Sequence, residues 1–138
     1  MVGYSGTPLA KKLGIKEGFR MAMIGAPPGF EKELGTLPAG VEIISRRNKS
    51  IDLILFFAKT ESDLTKDFAK LAAHLAPTGG FWVAWPKKSS GVASDLSFAI
   101  VQKVGLAVGL VDTKICAVNE VWSGLRFVIR LKDRPTNL

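Results

Sequence analysis

Apolar and polar residues follow two different periods along this chain. Apolar runs over residues 20–24 and 51–58, the second interrupted only by Asp52, predict strands that are covered on both faces of a sheet. After Thr60, apolar residues recur at spacings of three and four, which predicts an amphipathic helix with Thr60 as its N-cap. The residues of that apolar stripe are Leu64, Phe68, Leu71, Ala72 and Leu75.

Shorter patterns account for the rest of the first half of the chain. Residues 7–14 predict a short helix, because Pro8 suits a first helical turn and Gly14 suits a left-handed C-cap. Residues 30–34 leave room for only one or two helical turns, and residues 41–45 predict a short second strand. The first half therefore alternates between helix and strand.

The second half of the chain continues this alternation and then changes. A proline and two glycines within residues 77–80 are expected to stop the helix that begins at Thr60. The elements predicted after them are a strand at 81–85, a helix at 94–109, and hairpin strands at 115–121 and 125–131 about a turn at 122–124. This order predicts an α/β fold, a Rossmann-like three-layer sandwich whose mostly parallel sheet ends in an antiparallel hairpin.

Composition is consistent with one domain over residues 1–138, with a flexible tail after residue 132. The chain has 138 residues, of which 47% are hydrophobic and 22% charged, enough for a single core. One cysteine, Cys116, and one histidine exclude a disulfide framework and predict no metal site. Neither a secretory leader pattern nor an apolar run of about 18 residues is found, so we expect a cytoplasmic protein without a membrane partner. Oligomeric state stays open.

Candidate chemistry collects where the predicted strands end. Ligands of open parallel sheets bind beyond the carboxyl ends of the strands, and the net charge of +7 favours a negatively charged partner. The residues predicted at this rim are Gly25, Pro27, Gly29, Arg46, Arg47, Lys59, Lys87, Lys88, Ser89, Ser90, Glu120 and Trp122. They predict a site for a small anionic, nucleotide-like ligand. That the same cations belong to solvated loops is an equally open interpretation.

Several of these side chains also have a simpler interpretation. Glu120 is expected to pair with Arg126 rather than to act as a base, and Asp95 to favour the start of its own helix. Cys116 is expected to be an inert thiol within a strand. Trp122 in a hairpin turn is the aromatic least readily explained by burial, so either packing or ligand stacking remains possible for it.

The order of segments, ending in the hairpin, resembles the class I S-adenosylmethionine methyltransferases over about residues 13–131. The segments that carry the resemblance are residues 13–20 leading into the first strand, Asp52 heading 51–58, and residues 76–80 leading into 81–85. The chain is also similar to a family of small bacterial proteins that look like shortened domains of that kind. Residues 5–10, 85–88 and 122–126 carry this second likeness. The resemblance implies a methyltransferase-like fold with one strand–helix unit missing.

Three departures from the methyltransferase pattern affect the implied cofactor. That pattern has an acidic residue near the end of the first strand, a middle glycine in the following turn, and an acid ending the second strand. Met23, Pro27 and the Ser45-Arg46-Arg47 segment stand there instead. Proline offers no N–H and has a fixed φ, and arginine cannot accept hydrogen bonds from ribose hydroxyls. S-adenosylmethionine is therefore disfavoured, and the cofactor is left unassigned.

The function predicted from these observations is a non-catalytic, methyltransferase-like domain that binds a small anionic ligand, with no catalytic residue assigned. Two alternatives stay open. One is a nucleic-acid-binding accessory protein that uses the same positive charge, and the other is a divergent S-adenosylmethionine-dependent methyltransferase.

Overall fold

The computed structural model describes residues 7–45 and 50–134. Within them the elements are α1 (Leu9–Leu13), β1 (Arg20–Ile24), α2 (Phe30–Leu34), β2 (Glu42–Ile43), β3 (Ile51–Phe57), α3 (Glu61–Ala72), β4 (Leu75–Pro86), α4 (Phe98–Val108), β5 (Leu110–Ala117) and β6 (Trp122–Ile129). Short 3-10 turns lie at Lys88–Ser90 and Leu131–Asp133. None of the helices among the described residues is long and apolar enough to cross a membrane.

A single six-stranded sheet organises the described residues, in the order β2-β1-β3-β4-β6-β5. Strands β2, β1, β3 and β4 pair in parallel, whereas β6 is antiparallel to both of its neighbours, β4 and β5. Because β4 and β5 both oppose β6, β5 runs in the same direction as the parallel strands. The predicted mostly parallel α/β sheet with a C-terminal antiparallel hairpin is therefore confirmed.

One face of the sheet is covered by α3 and α4. Phe68 of α3 stacks on Phe81 with ring centroids 4.5 Å apart, and meets the edge of Phe127 at 5.5 Å. Gly105 lets α4 approach the same ring, since a Cβ there would lie 2.1 Å from a Phe127 ring carbon. Leu64 and Leu71 complete the buried stripe of α3, as its spacing predicts.

The other face is covered by α1 and α2, which makes three layers. Leu13 and Phe30 bring the two short helices onto Trp82 and Phe57, and all four side chains are buried. Phe30 meets Phe57 edge to face at 4.9 Å. Gly14 closes α1 at φ +83°, as predicted, since this left-handed conformation suits glycine.

The helix α3 is capped from two directions. Thr60 Oγ1 accepts a hydrogen bond from the backbone N–H of Asp63 at 3.1 Å, as predicted for an N-cap. Asp95 Oδ1 accepts from the N–H of Glu61 at 2.7 Å. The prediction that Asp95 serves the start of its own helix is wrong. Its carboxylate instead contacts the positive end of the α3 dipole.

The helix α4 starts later than predicted, at Phe98. Ser97 is its N-cap, with Oγ accepting from the N–H of Ile100 at 3.3 Å. Ser94 donates to the carbonyl of Lys59 at 2.7 Å instead, which holds residues 91–97 in a non-helical path beside α3. Leu96 packs into the core from this path and not from a helix. Gly109 ends α4 at φ +100°, as predicted.

Strand β4 begins earlier than predicted, and Leu75 belongs to it and not to the preceding helix. Ile51 pairs with Leu75 and Leu53 with Gly80, so residues 76–79 bulge out opposite Asp52. Residues 77–80 therefore do not stop the helix, which has already ended at Ala72. A bulge lets proline and glycine stay within a strand by removing them from regular pairing.

The hairpin turn lies at residues 118–121, before the predicted position. Asn119 Oδ1 accepts from the backbone N–H groups of Val121 and Trp122, each at 2.9 Å, and closes the turn. Trp122 is therefore the first residue of β6, and its indole is buried edge to face on Phe57 at 5.0 Å. The predicted turn position of Trp122 is wrong. The hydrogen bonds to the side chain of Asn119 close the turn before residue 122, so the predicted turn at 122–124 with its glycine is not formed.

The sequence predicts a flexible tail after residue 132. Leu131–Asp133 form a 3-10 turn, and Arg134 Nε donates to the carbonyl of Ile129 at 3.0 Å. The remainder of the predicted flexible tail, residues 135–138, and the leading residues 1–6 lie outside the described residues.

Candidate functional site

The carboxyl ends of the parallel strands meet at one rim of the sheet, as predicted. Ala58 N–H donates to the carbonyl of Ala84 at 2.9 Å, which holds the ends of β3 and β4 side by side. Lys59 and Lys87 follow these two ends directly, so both belong to this rim. Arg46 and Arg47 lie outside the described residues.

The turn at residues 25–29 leaves β1 at the same rim. Gly25 has φ +73°, and a Cβ on it would lie 2.8 Å from the carbonyl oxygen of Phe57, so the close approach of β3 requires glycine. Gly29 has φ +80° and ends the turn one residue before α2. Pro27 accepts a hydrogen bond at its carbonyl from Phe30 N–H at 3.1 Å. Both predicted glycines are therefore explained by backbone geometry.

A cavity of about 610 Å³ lies beside this turn, within the size range of small-molecule sites. We call it the rim cavity. Its wall from β1 and the turn is formed by Met23, Ala26, Pro27, Pro28 and Gly29, its wall from α2 by Phe30, Glu31 and Lys32, and its wall from β2 by Ile43, Ile44 and Ser45. The wall from the turn and β2 is mostly apolar, and the charged groups come from the start of α2.

None of the residues of the Lys87 loop lines the rim cavity. Asn119 Nδ2 donates to Glu33 Oε1 at 2.9 Å, which joins the hairpin turn to α2. Lys87 N–H donates to the carbonyl of Val121 at 2.7 Å, which joins the loop after β4 to the same turn. The hairpin turn is therefore hydrogen-bonded both to α2 and to the Lys87 loop.

The loop after β4 is held by its own hydrogen bonds. Ser90 Oγ donates to the carbonyl of Lys87 at 2.6 Å and accepts from Val92 N–H at 3.1 Å. Lys88 and Ser89 are exposed. The helix predicted to begin at residue 94 begins only at Phe98, so this loop does not lead directly into a helix N-terminus.

Two other predicted site residues differ from their expected surroundings. Glu120 is exposed in the hairpin turn, and the expected Glu120–Arg126 ion pair is not formed. Within residues 7–45 and 50–134, the only ion pair is between Lys103 and Glu61, at 3.9 Å. Trp122 is 7% exposed, so packing on the core accounts for its side chain.

The rim cavity does not reproduce the donor set that the methyltransferase pattern requires. Pro27 has no N–H to offer, and Met23 is uncharged. The described end of β2 contributes Ile43, Ile44 and Ser45 to the wall, and these supply no carboxylate for ribose hydroxyls. The described residues therefore do not fit S-adenosylmethionine in the way the methyltransferase pattern implies. Among these same residues, no group of three acidic, histidine or cysteine side chains could hold a metal ion.

A second cavity, of about 430 Å³, lies at the opposite, amino end of the sheet, and sequence reasoning missed it. The charged residues in its wall are Lys11, Lys12, Lys16, Asp52, Lys114 and Arg126. We call this cavity the basic hollow. The cations that line this cavity come from separate segments of the sequence, and each has a simpler local explanation. Lys11 and Lys12 lie in the last turn of α1, where positive charge favours the helix dipole. Lys114 and Arg126 occupy strands, where outward-facing charges are common.

Comparison with known proteins gives a likeness of fold. No family model and no curated protein sequence matches this chain. A crystal structure of a SAM-dependent methyltransferase from Aquifex aeolicus matches with a TM-score of 0.63 at 17% identity, over 88% of each chain. The ribosomal protein L11 methylase from Lactobacillus delbrueckii subsp. bulgaricus matches with a TM-score of 0.61 at 11% identity, over 88% of this chain and 75% of the other.

A third match is the Aeropyrum pernix fibrillarin, solved in complex with natively bound S-adenosyl-L-methionine. Its TM-score is 0.58 at 12% identity, over 87% of this chain and 73% of the other. These three similarities, together with the sheet order, show a shortened class I methyltransferase-like fold, as the sequence resemblance implied.

Proposed function

We propose that this methyltransferase-like domain binds a small nucleotide-like ligand in the rim cavity and does not catalyse methyl transfer. The observation that carries the proposal is the place of the cavity in the sheet. The chain passes from β1 outward to β2 and then returns to β3 on the other side, so the strand order reverses between β1 and β3, and the rim cavity borders this point through Met23 of β1 and the turn that follows it. Open α/β sheets bind their ligands beyond the carboxyl ends of the strands at such a point.

The wall of the rim cavity supports a ligand with one apolar and one anionic part. Pro27, Pro28 and Ile43 offer apolar surface against which a flat base can pack. Ser45 ends the wall, and the next two residues in the sequence are Arg46 and Arg47. Guanidinium groups bind phosphate through paired hydrogen bonds, which suits the anionic part of a nucleotide.

We propose no catalysed reaction because of the side chains that line the rim cavity. Among the described residues, the rim cavity is lined by one carboxylate, Glu31, and by no histidine or cysteine. Glu31 lies in the first turn of α2, where a carboxylate favours the helix by its charge. We therefore assign no acid, base or nucleophile.

Calorimetric titration with AMP, ATP and adenosine tests the proposal. Ile43→Trp fills the cavity from β2, an edge strand where Ile43 is 42% exposed. Ile115→Trp is the matched control, because Ile115 is 54% exposed on β5, the opposite edge strand. We expect ATP to bind the original protein and the control equally, and Ile43→Trp at least tenfold more weakly.

A double variant, Arg46→Ala with Arg47→Ala, examines the anionic part of the ligand. A hydrogen bond to a charged group is worth about 1.5–3 kcal/mol, so we expect the affinity for ATP to fall by roughly 10- to 150-fold and that for adenosine to change little. The proposal fails if no nucleotide binds, or if the two tryptophan variants bind ATP equally well.

A divergent S-adenosylmethionine-dependent methyltransferase is the second candidate. It is favoured by the likeness of fold to the fibrillarin with bound S-adenosyl-L-methionine. Titration with S-adenosylmethionine and S-adenosylhomocysteine under the same conditions separates the two candidates. Binding of both sulfur compounds without binding of ATP would favour this candidate, and binding of ATP alone that Ile43→Trp weakens would favour the first.

A further inference from the structure

The basic hollow lies on the sheet face covered by α1, at the end opposite the rim cavity. Its wall contains residues from the amino ends of β1 and β3, including Phe19 and Asp52, and from the bulged start of β4, including Thr78. The helix α1 has only five residues and covers only part of this face. A hollow therefore remains between the helix and the exposed part of the sheet.

Three hydrogen bonds fix the position of α1 beside the hollow. Trp82 Nε1 donates to the carbonyl oxygen of Leu13 at 2.8 Å, in the core. Lys12 Nζ donates to the carbonyl of Ala117 at 2.8 Å, and Lys114 Nζ donates to the carbonyl of Lys12 at 3.2 Å. The lysines of α1 and β5 are therefore held close to each other by the fold, although like charges repel.

Arg126 is a partly buried cation in the wall of the hollow. Its guanidinium lies over Gly80, where a Cβ would be 2.8 Å from Nε, so the missing side chain makes room for it. Nη1 donates to Thr113 Oγ1 at 3.2 Å. Burial, and secondarily the charge of Arg134, lower the pKa of Arg126, and among the described residues its guanidinium forms no ion pair.

A bulge in β5 brings two adjacent residues to Arg126. Asp112 pairs with Phe127 and Lys114 with Arg126, so Thr113 is the extra residue between them. A bulge turns a side chain away from strict alternation, which allows both Thr113 and Lys114 to line the hollow. The hollow thus receives a hydroxyl and an ammonium from consecutive positions.

The charges in the hollow are strongly one-sided. Five cations face one carboxylate, and Asp52 Oδ2 already accepts from the backbone N–H of Arg20 at 2.9 Å. In the part of the chain that the structure describes, Lys11, Lys16 and Arg126 form no ion pair. Concentrated like charge in a concave surface costs stability and raises the local concentration of anions.

We propose that the basic hollow binds a ligand with two or more adjacent phosphate groups. The threonine hydroxyls and the guanidinium of Arg126 can donate to phosphate oxygens, and the lysines supply the matching charge. A volume of about 430 Å³ admits a compact polyphosphate chain. Anionic phosphate oxygens are shared by free polyphosphates and by the phosphodiester backbone of nucleic acids, so the experiment includes both.

Calorimetric titration with inorganic tripolyphosphate, and fluorescence anisotropy with a labelled 20-nucleotide single strand, test this site. The double variant Lys11→Ala with Lys16→Ala removes two exposed cations from the wall. Lys66→Ala with Lys70→Ala is the matched control, since it removes the same charge from exposed positions on α3, at the opposite face. Circular dichroism confirms that each variant is folded.

We expect tripolyphosphate to bind the original protein and the α3 control with similar affinity, and the hollow variant at least tenfold more weakly. An oligonucleotide that shows the same selective loss would identify nucleic acid as the source of the phosphates. Tripolyphosphate binding alone would identify a small polyphosphate. If neither probe binds, or if both double variants weaken binding equally, the charge acts without a defined site and the proposal is wrong.

Discussion

The indole Nε1 of Trp82 and the carbonyl oxygen of Leu13 form a buried hydrogen bond of 2.8 Å between the centre of the sheet and the end of α1. Leu13 is the last residue of α1, so its carbonyl has no partner within the helix. This bond therefore satisfies a helix end that packing has removed from water. It also holds the lysines of α1 at the wall of the basic hollow.

Replacement of Trp82 should show the value of this contact. Trp82→Phe removes the donor and leaves the Leu13 carbonyl buried without its partner, which costs about 1–3 kcal/mol. Trp85→Phe is the control, since Trp85 is buried but forms no side-chain hydrogen bond to another described residue. Urea unfolding should show a larger loss of stability for Trp82→Phe. Equal losses in the two variants would contradict a structural role for the hydrogen bond.

A methyl group at Gly105 should disturb the packing of α4 on the sheet. Glycine to alanine within a helix normally stabilises by about 1 kcal/mol, but here Cβ would lie 2.1 Å from the Phe127 ring. We expect Gly105→Ala to destabilise the fold by about 1–3 kcal/mol in urea unfolding. Phe127→Leu provides space, so the effect of Gly105→Ala should be smaller in that background. Additive effects would argue against the contact.

The two caps of α3 should each contribute to stability. Thr60→Ala removes the acceptor for Asp63 N–H, and Asp95→Ala removes the acceptor for Glu61 N–H. Each variant is expected to lose about 0.5–2 kcal/mol in thermal or urea unfolding. Thr65→Ala, at an exposed position within α3, should change stability by less than about 0.5 kcal/mol. A similar loss in Thr65→Ala would show that general helix propensity, and not capping, is responsible.

The thiol of Cys116 should react slowly at neutral pH. Burial raises its pKa, and the charges of Lys12 and Lys114 only partly oppose this. The thiolate fraction is therefore smaller in the folded than in the unfolded protein, and iodoacetamide should modify the native thiol more slowly than the urea-unfolded one. The associated stability is fully present below the unfolded pKa and is lost as pH rises through the folded pKa.

Neutralising Lys114 tests the cause of that shift. Lys114→Met removes a nearby positive charge, so the pKa of Cys116 should rise further and its rate of alkylation at a fixed pH should fall. Lys66→Met, on the opposite face of the sheet, should leave the rate unchanged. An increase in the rate with Lys114→Met would show that access to the thiol, and not charge, controls its reactivity.

Much of the fold was predictable because its signals are local. The apolar runs that form β1 and β3, the apolar spacing of α3 and the left-handed glycines at 14 and 109 each depend on a few neighbouring residues. The predicted bounds of helices, strands and turns were wrong where a contact with another segment decides the local structure. Leu75 joins β4 because Ile51 pairs with it, and the hairpin turns early because Asn119 bonds back to the start of β6.

The candidate sites show the same division. The strand order was enough to predict that Lys59 and Lys87 lie at one rim. Each follows a buried apolar strand, and the carboxyl ends of parallel strands lie at the same edge of a sheet. The sequence could not show that the hairpin turn contacts both α2 and the Lys87 loop, because those contacts depend on hydrogen bonds between segments far apart along the chain. It also could not show the basic hollow, whose cations come from positions more than a hundred residues apart.

By itself, the sequence determined the succession of elements, the mostly parallel sheet and the excess of positive charge, because each is written in the type and spacing of neighbouring residues. Only the tertiary structure decided where that charge gathers. Arg126 lies over Gly80, and Lys114 bonds to the carbonyl of Lys12, through contacts between segments far apart along the chain. Packing and strand register set such contacts, and no local pattern of residues encodes them.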